Sequence, residues 1–340
     1  MSDIFAEVKE QVQAAYPIVV LPEGDDDRIV QAASRLAREE VVRPLIVGEE
    51  EDVQERARRL GVALHDCMIE SPSSYEKFEE MVQAFIERRK GKETEEAARE
   101  KLLEPNYFGT MLVYMGEADG LVSGAAHSTG DTVRPALQII KTKPGISKTS
   151  GVFIMVKGDK KFVFADCAIN ISPSDEELAE IAISTAETAK TFNIDPKVAM
   201  LSFSTKGSAA SQETKKVSTA TRMAQEQRPD LVIDGEFQFD AAFVPTVAEK
   251  KAPDSPLQGE ANVFIFPSLE SGNLGYKIAQ RLGNYEAVGP ILQGLNQPVN
   301  DLSRGCSVDD VYNLSLITAM QAVQEKKTDV SEKAEELVNA

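Results

Sequence analysis

Ser303 and Arg304 in "NDLSRGCSVDDVYNL" stand just ahead of a helix start, and Asp309 and Asp310 fall inside the first turn of that helix. A helix N-terminus offers free amides and the positive end of a dipole. A serine hydroxyl and a guanidinium placed there make a site for phosphate or an oxyanion. Two carboxylates a few residues on have the opposite electrostatic preference. "SVDD" also fits a capping box, with Ser307 as N-cap and Asp310 three residues later, an arrangement worth about 0.5–2 kcal/mol without any chemistry. Both readings stand on the sequence. Cys306, beside Arg304, is a candidate thiolate, although small buried cysteines are commoner than reactive ones.

The same design recurs in "SGAAHSTGDTVRPALQ", residues 123 to 138. A strand end is followed by Gly124, Ala125 and Ala126, small enough to let a ligand near the backbone. Then come the hydroxyls of Ser128 and Thr129, and a helix carrying Arg134. The bland alternative is a strand-to-helix turn capped by Thr129 or Asp131. His127 is a base or, more simply, a hydrogen-bond donor. "SLESGNLGYK" repeats the device with Ser271, Gly272, Asn273 and Gly275, and Arg281 lies further along that helix. "IERRKGK" puts Arg88 and Arg89 at a helix end, where a solvated basic tip is the default. No G-x-x-x-x-G-K-[ST] or G-x-S-x-G occurs, and no two glycines are separated by one residue, which removes the Walker, nucleophile-elbow and G-x-G-x-x-G signals. Several anion-ready strand ends without a nucleotide motif suggest a substrate bearing phosphate or pyrophosphate, bound across the mouth of a sheet.

The elements that must position these residues alternate short apolar runs with amphipathic helical stretches, the pattern of an α/β protein with mostly parallel sheets flanked by helices. "YPIVVLPEGDDDRIVQAASRLAREE" reads as a strand over 18–21, a polar turn and a helix from about Arg28. "GVFIMVKGDKKFVFAD" breaks the pattern: runs 152–156 and 162–165 flank a Gly-Asp turn and predict a hairpin. It follows the boundary-like "KTKPGISKTSG". At 340 residues, two domains are expected. If the last helix packs back on the first lobe, residues 1–145 and 291–340 form one domain, with 146–290 inserted and a cleft between them.

Composition narrows the class. Hydrophobic residues make up 42% and charged residues 27%, as in a soluble globular chain. The net charge of −18 opposes nucleic acid as the main partner. No apolar stretch is long enough for a membrane span, and the acidic, helical "MSDIFAEVKEQVQ" is unlike a signal peptide, so a cytoplasmic location is expected. Three scattered cysteines and two histidines support neither a disulfide framework nor a metal site.

Six blocks, "ADGLVSGAAHSTGDTVRPALQIIKT", "FADCAINISPS", "SFSTKGSA", "DGEFQFDAAFVP", "ANVFIFPSLESGNLGYKIAQRLG" and "GPILQGLNQPVNDLSRGCSVDDVYNL", occur in order from residue 118 to 314 and resemble the phosphate acetyltransferase family, in its short form without an N-terminal regulatory extension. The resemblance implies the reaction acetyl-CoA plus phosphate to acetyl phosphate plus CoA. It also implies a two-lobed homodimer that needs no permanently bound cofactor or catalytic metal, with small-molecule substrates only, and a fold like that of isocitrate and isopropylmalate dehydrogenases. By motif, Ser303 and Arg304 become the "LSRG" pair and Asp310 the base toward the CoA thiol. Arg134 and Arg281 are implied to bind CoA or phosphate, as is Arg89, with Arg88 beside it as the other candidate. Two rival readings are a phosphate butyryltransferase and a catalytically idle acyl-CoA sensor; a decarboxylating dehydrogenase is a more distant one.

Overall fold

The computed structural model describes residues 3–339, which divide into two compact units: Asp3–Lys141 with the segment from Leu295 onward, and Thr142–Gly294. The elements of the first unit are α1 (Asp3–Gln13), β1 (Ile18–Leu21), α2 (Asp27–Arg38), β2 (Arg43–Val47), α3 (Glu50–Leu60), β3 (Met68–Glu70), α4 (Phe78–Arg89), α5 (Glu95–Leu102), α6 (Pro105–Tyr114), β4 (Gly120–Ser123) and α7 (Thr129–Ile139). After the second unit the chain returns with β11 (Val299–Asp301) and α13 (Val308–Asn339).

Every strand pair of the first sheet is parallel, in the order β11-β4-β1-β2-β3. The strands read as near-continuous apolar runs because helices cover both faces of such a sheet; Val19, Val20, Leu21, Leu45 and Ile46 are buried accordingly. From β1 the chain runs outward through β2 and β3, then returns to place β4 on the other side of β1. The loops after β1 and β4 therefore part at a topological switch point, where open parallel sheets present their ligand crevice. Helix α13 packs on α1, α2 and β4, burying Val311, Tyr312, Ile317 and Met320.

The second unit contains β5 (Ser150–Lys157), β6 (Lys160–Ala165), α8 (Asp175–Thr191), β7 (Lys197–Leu201), α9 (Gln212–Gln227), β8 (Val232–Phe237), α10 (Phe239–Phe243), α11 (Pro245–Lys251), β9 (Val263–Ile265), α12 (Leu269–Arg281) and β10 (Glu286–Gln293). Its sheet is mixed, ordered β10-β5-β6-β9-β7-β8. β5 and β6 form the antiparallel hairpin that the Gly-Asp turn predicts, and β10 adds a second antiparallel edge. Strands β6, β9, β7 and β8 are parallel. Phe153, Phe164, Phe237 and Phe264 anchor the core. β10 stays paired with β5 as far as Gln293, so this unit closes at Gly294.

Candidate active site at the β1–β4 switch point

Glu23, two residues beyond β1, is fully buried, and its carboxylate organises the loop after β4. It accepts the backbone N–H groups of Gly124 (3.1 Å to one oxygen, 3.2 Å to the other), Ala125 (2.9 Å), Ala126 (2.9 Å) and His127 (2.9 Å), and Nδ1 of His127 lies 2.8 Å from Oε1. The small residues at 124–126 suggest amides open to a substrate anion; in the structure those amides are filled from within. Gly124 is still required by geometry. Its φ is +110°, and a Cβ there would lie 2.5 Å from the Leu302 carbonyl and 2.6 Å from Asp301 Oδ1.

Arg28 ties three loops together at this point. Its guanidinium donates to both oxygens of Asp26 (3.0 and 2.7 Å), to the carbonyl of Ala125 (2.7 Å), and to the carbonyls of Arg304 (2.8 Å) and Cys306 (2.9 Å). Asp26 in turn caps α2 by accepting from the Arg28 amide at 2.8 Å. The hydrogen bond between the two side chains lowers the Asp26 carboxyl below the usual range. Five donors in a fixed planar fork make this possible for arginine and not for lysine. Sequence reading takes Arg28 only as a helix start.

The 303–310 segment is held by its backbone and cap. Ser303 Oγ accepts from the Gly305 amide (3.3 Å), and both Ser303 and Arg304 are exposed. While Arg28 holds the Arg304 carbonyl, the Arg304 guanidinium makes no hydrogen bond or ion pair with any described residue. The capping box forms: Asp310 Oδ2 accepts from the amide and hydroxyl of Ser307 (2.8 Å each), and the Asp310 amide donates to Ser307 Oγ (3.2 Å). Asp310 Oδ1 takes no partner among the described residues. Capping and acceptance of a substrate proton are therefore compatible. The adjacent acid has a different task. Asp309 Oδ1 accepts from Arg35 (2.6 Å), whose guanidinium stacks 3.8 Å over the Tyr312 ring, while Glu39 gathers Lys9, Tyr312 and Arg35 beneath.

The hydroxyls after β4 are also committed. Ser128 is the N-cap of α7 and donates to Asp131 Oδ2 (2.7 Å), so the cap lies one residue ahead of Thr129 and three ahead of Asp131, the two positions sequence reading proposes. Thr129 donates to Asp301 Oδ2 (2.6 Å). Burial pushes the Asp301 carboxyl up, against the pull of the Thr129 and Thr132 hydroxyls. Among the described residues neither Asp301 Oδ1 nor the Thr132 hydroxyl has a partner at ordinary hydrogen-bonding distance, although the two groups are close enough to influence each other. Burial also raises the Cys306 thiol, with Arg28 opposing it.

Arg134 is exposed on α7. The α4 arginines divide: Arg88 donates to the carbonyls of Ile139 (2.5 Å) and Ile140 (2.9 Å) and stacks 4.9 Å from the Tyr114 ring, whereas Arg89 reaches only Glu93 (3.4 Å) and leaves its buried Nε unpartnered. Arg88 is thus occupied in ending α7, whereas Arg89 keeps donors without a partner among the described residues. In the second unit, Arg281 is exposed in the last turn of α12. The small residues of that helix serve packing: a Cβ on Gly272 would meet the Asp166 carbonyl at 2.2 Å, and one on Gly275 the Phe266 ring at 2.9 Å. Asp166 fills another amide array, accepting from Gly151, Ala168, Ile169 and Asn170. Among the described residues no helix is long and apolar enough to cross a membrane.

Residues 3–319 match the family model described as phosphate acetyl/butaryl transferase. A phosphate acetyltransferase of Bacillus subtilis is 65% identical over 323 residues, covering 95% of this chain and all of that one. The crystal structure of a phosphotransacetylase from Streptococcus pyogenes superposes with a TM-score of 0.93 at 58% identity, covering 95% of this chain and all of the other. At 12% identity and a TM-score of 0.53, covering 90% of this chain and 98% of the other, a 4-hydroxythreonine-4-phosphate dehydrogenase from Burkholderia phymatum shares the fold alone. The chain belongs to the phosphate acetyl/butyryl transferase family.

Proposed function

We propose a direct, ternary-complex route for the reaction of this family member, transfer of an acetyl group between coenzyme A and inorganic phosphate. In the direction of acetyl-CoA formation, the thiol proton passes to Asp310 Oδ1 as sulfur bonds to the acetyl carbon. The carbon–oxygen bond to the phosphoryl group then breaks, and phosphate leaves. Arg304 holds the developing oxyanion and the phosphoryl oxygens, with the Ser303 hydroxyl beside it.

The energetics demand this pairing of opposite charges. A thiol near pKa ~8.5 and an aspartate near ~3.9 differ enough that complete proton transfer is uphill by roughly 6 kcal/mol. Asp310 is exposed, so water must be excluded by the substrate itself, and a guanidinium beside the sulfur lowers the cost of the thiolate. Concerted proton removal avoids the full penalty. The observation that carries the reading is that, in a segment fixed by Arg28 and by the capping box, the Arg304 guanidinium and Asp310 Oδ1 are left without a partner among the described residues.

Arg134, Arg89 and Arg281 take the phosphates of CoA or inorganic phosphate in this reading. The route uses no resident cofactor or metal, and the protein works as a cytoplasmic homodimer on small-molecule substrates alone. Phosphate-dependent release of CoA from acetyl-CoA, compared with butyryl-CoA, tests the acyl preference. Sequential kinetics are expected, with acetyl-CoA the better substrate. Ping-pong kinetics with a trapped acetyl thioester on Cys306 would replace direct transfer by a covalent route, and faster release from butyryl-CoA would reassign the acyl group.

A further inference from the structure

The environment of His127 is more specific than a loop histidine needs. Four backbone N–H groups already point at the two oxygens of Glu23, so that carboxylate acts as an acceptor toward everything around it. With His127 Nδ1 only 2.8 Å from Oε1, the ring must carry its proton on Nδ1. In the neutral ring, Nε2 then has the free lone pair. The His127 side chain is 34% exposed, and Nε2 has no partner among the described residues. The neighbouring hydroxyls of Ser128 and Thr129 donate to Asp131 and Asp301, which leaves the imidazole as the side chain of this loop free to donate to, or accept from, a substrate. Through Arg28, which binds the carbonyls of Ala125 and Arg304, the loop is also clamped to the segment carrying the free guanidinium.

We propose that Glu23 is a positioning residue that locks His127 in the Nδ1–H tautomer, and that His127 Nε2 makes a hydrogen bond to the phosphoryl group of phosphate or acetyl phosphate. The inference rests on the acetyl-transfer reading above. That reading gives the thiol proton to Asp310 and meets the carbonyl and phosphoryl oxygens mainly with guanidiniums, which only donate, so a protonated phosphate oxygen is still short of an acceptor. A neutral Nε2 accepts from a protonated phosphate oxygen; on taking a proton it donates to an unprotonated one. Buried carboxylate, imidazole and ligand in line is the arrangement by which an outer carboxylate sets the direction of a histidine's hydrogen bond.

The chain has two histidines, and His65→Gln leaves one imidazole to observe. Nitrogen-15 spectra of that protein near about pH 8.5, above the usual imidazole range, should show the Nδ1–H tautomer. Inorganic phosphate and acetyl phosphate should shift the Nε2 resonance saturably, and CoA should not. In steady-state assays, His127→Ala should raise the KM for phosphate by roughly 10–100-fold, the worth of one hydrogen bond to a charged group, with the KM for CoA unchanged. His127→Gln, whose amide reaches the Nε2 position, should recover part of that loss. Glu23→Gln should convert the ring to mixed tautomers; if that variant does not fold, the spectra of the folded protein and the His127 kinetics still decide. An Nε2–H tautomer, a ring indifferent to phosphate, or an unchanged phosphate KM in His127→Ala would each overturn the proposal. If the unmutated protein releases no CoA with phosphate, the acetyl-transfer reading itself fails; if it does so while His127 stays silent, only this inference fails.

Discussion

Asp310→Asn separates the cap that this carboxylate forms from the proton acceptance proposed for it. An asparagine there keeps an oxygen that accepts from the Ser307 amide and hydroxyl, both 2.8 Å away in the native cap, but it takes no proton from a thiol. On the cap, the change removes one negative charge from the first turn of an exposed helix end, worth about 0.3–1 kcal/mol. In a domain of this size the melting temperature should fall by only about 2–4 °C per kcal/mol. On the reaction, removal of a general base costs about 10²–10⁴-fold in rate, or roughly 3–5 kcal/mol. The control is Ser307→Ala, which breaks the cap at a cost of about 0.5–2 kcal/mol and leaves the carboxylate at 310 in place. Melting curves and phosphate-dependent CoA release, measured on both variants, give the four numbers needed. Asp310→Asn should be nearly as stable as the native protein and at least about 10²-fold slower, while Ser307→Ala should be less stable and within a few-fold of native rate. If the rate follows stability across the two variants, Asp310 acts only as a cap, and the proton must go elsewhere.

Arg304→Ala should leave the melting temperature unchanged, because its guanidinium binds no described residue, yet lose about 10²–10³-fold in kcat, the cost of one missing oxyanion donor; retention of activity within a few-fold removes it from the chemistry. Arg28→Lys cannot serve Asp26 and the carbonyls of Ala125, Arg304 and Cys306 together, so both stability and kcat should fall, and a variant with native kcat would show that the 303–306 loop holds itself. Glu39 predicts a pH effect. Burial opposes its charge, but hydrogen bonds from Lys9, Tyr312 and Arg35 win and bring its carboxyl down to about 2. A depressed acid stabilises the fold above its unfolded pKa of about 4.3, and that contribution is lost as pH falls from there toward about 2. Glu39→Gln should flatten the fall in urea midpoint across that window; an unchanged slope would assign the acid sensitivity to other carboxylates.

The features legible in the sequence are those carried by neighbours in the chain. The β5–β6 hairpin is announced by Gly158-Asp159 between two apolar runs, and the cap at Ser307 by Asp310 three residues on. The misplaced cap of α7 shows the limit of that local reading. "HSTGD" contains three residues able to cap, and the choice of Ser128 depends on Thr129 turning instead to Asp301, 172 residues away. Glu23 was invisible for the same reason. It is one acid in the acidic "PEGDDD", and nothing nearby reveals that it reaches amides more than a hundred residues on. Arg28 likewise looks like any basic residue early in a helix until the carbonyls of Arg304 and Cys306, some 276 and 278 residues later, arrive beside it.

These long-range contacts change what the acidic composition means. Much of the negative charge faces solvent, but Glu23, Asp166 and Glu236 are buried and accept hydrogen bonds from the backbone amides of their own units. An amide array at a strand end binds whatever anion reaches it. By filling such arrays with its own carboxylates, the chain turns general anion sites into rigid scaffold. The guanidiniums of Arg304, Arg134 and Arg281 pair with no described residue, and the proposed function gives the substrate anions to them. A guanidinium discriminates by its planar fork and by where its backbone is held, whereas an amide array answers to charge alone. At a net charge of −18, with the field screened beyond about 8 Å, phosphate is attracted only where such a group stands clear of the carboxylates. In the segment 303–310 the two acids have partners of their own, Asp309 in Arg35 and Asp310 Oδ2 in Ser307, while the Arg304 guanidinium pairs with no described residue.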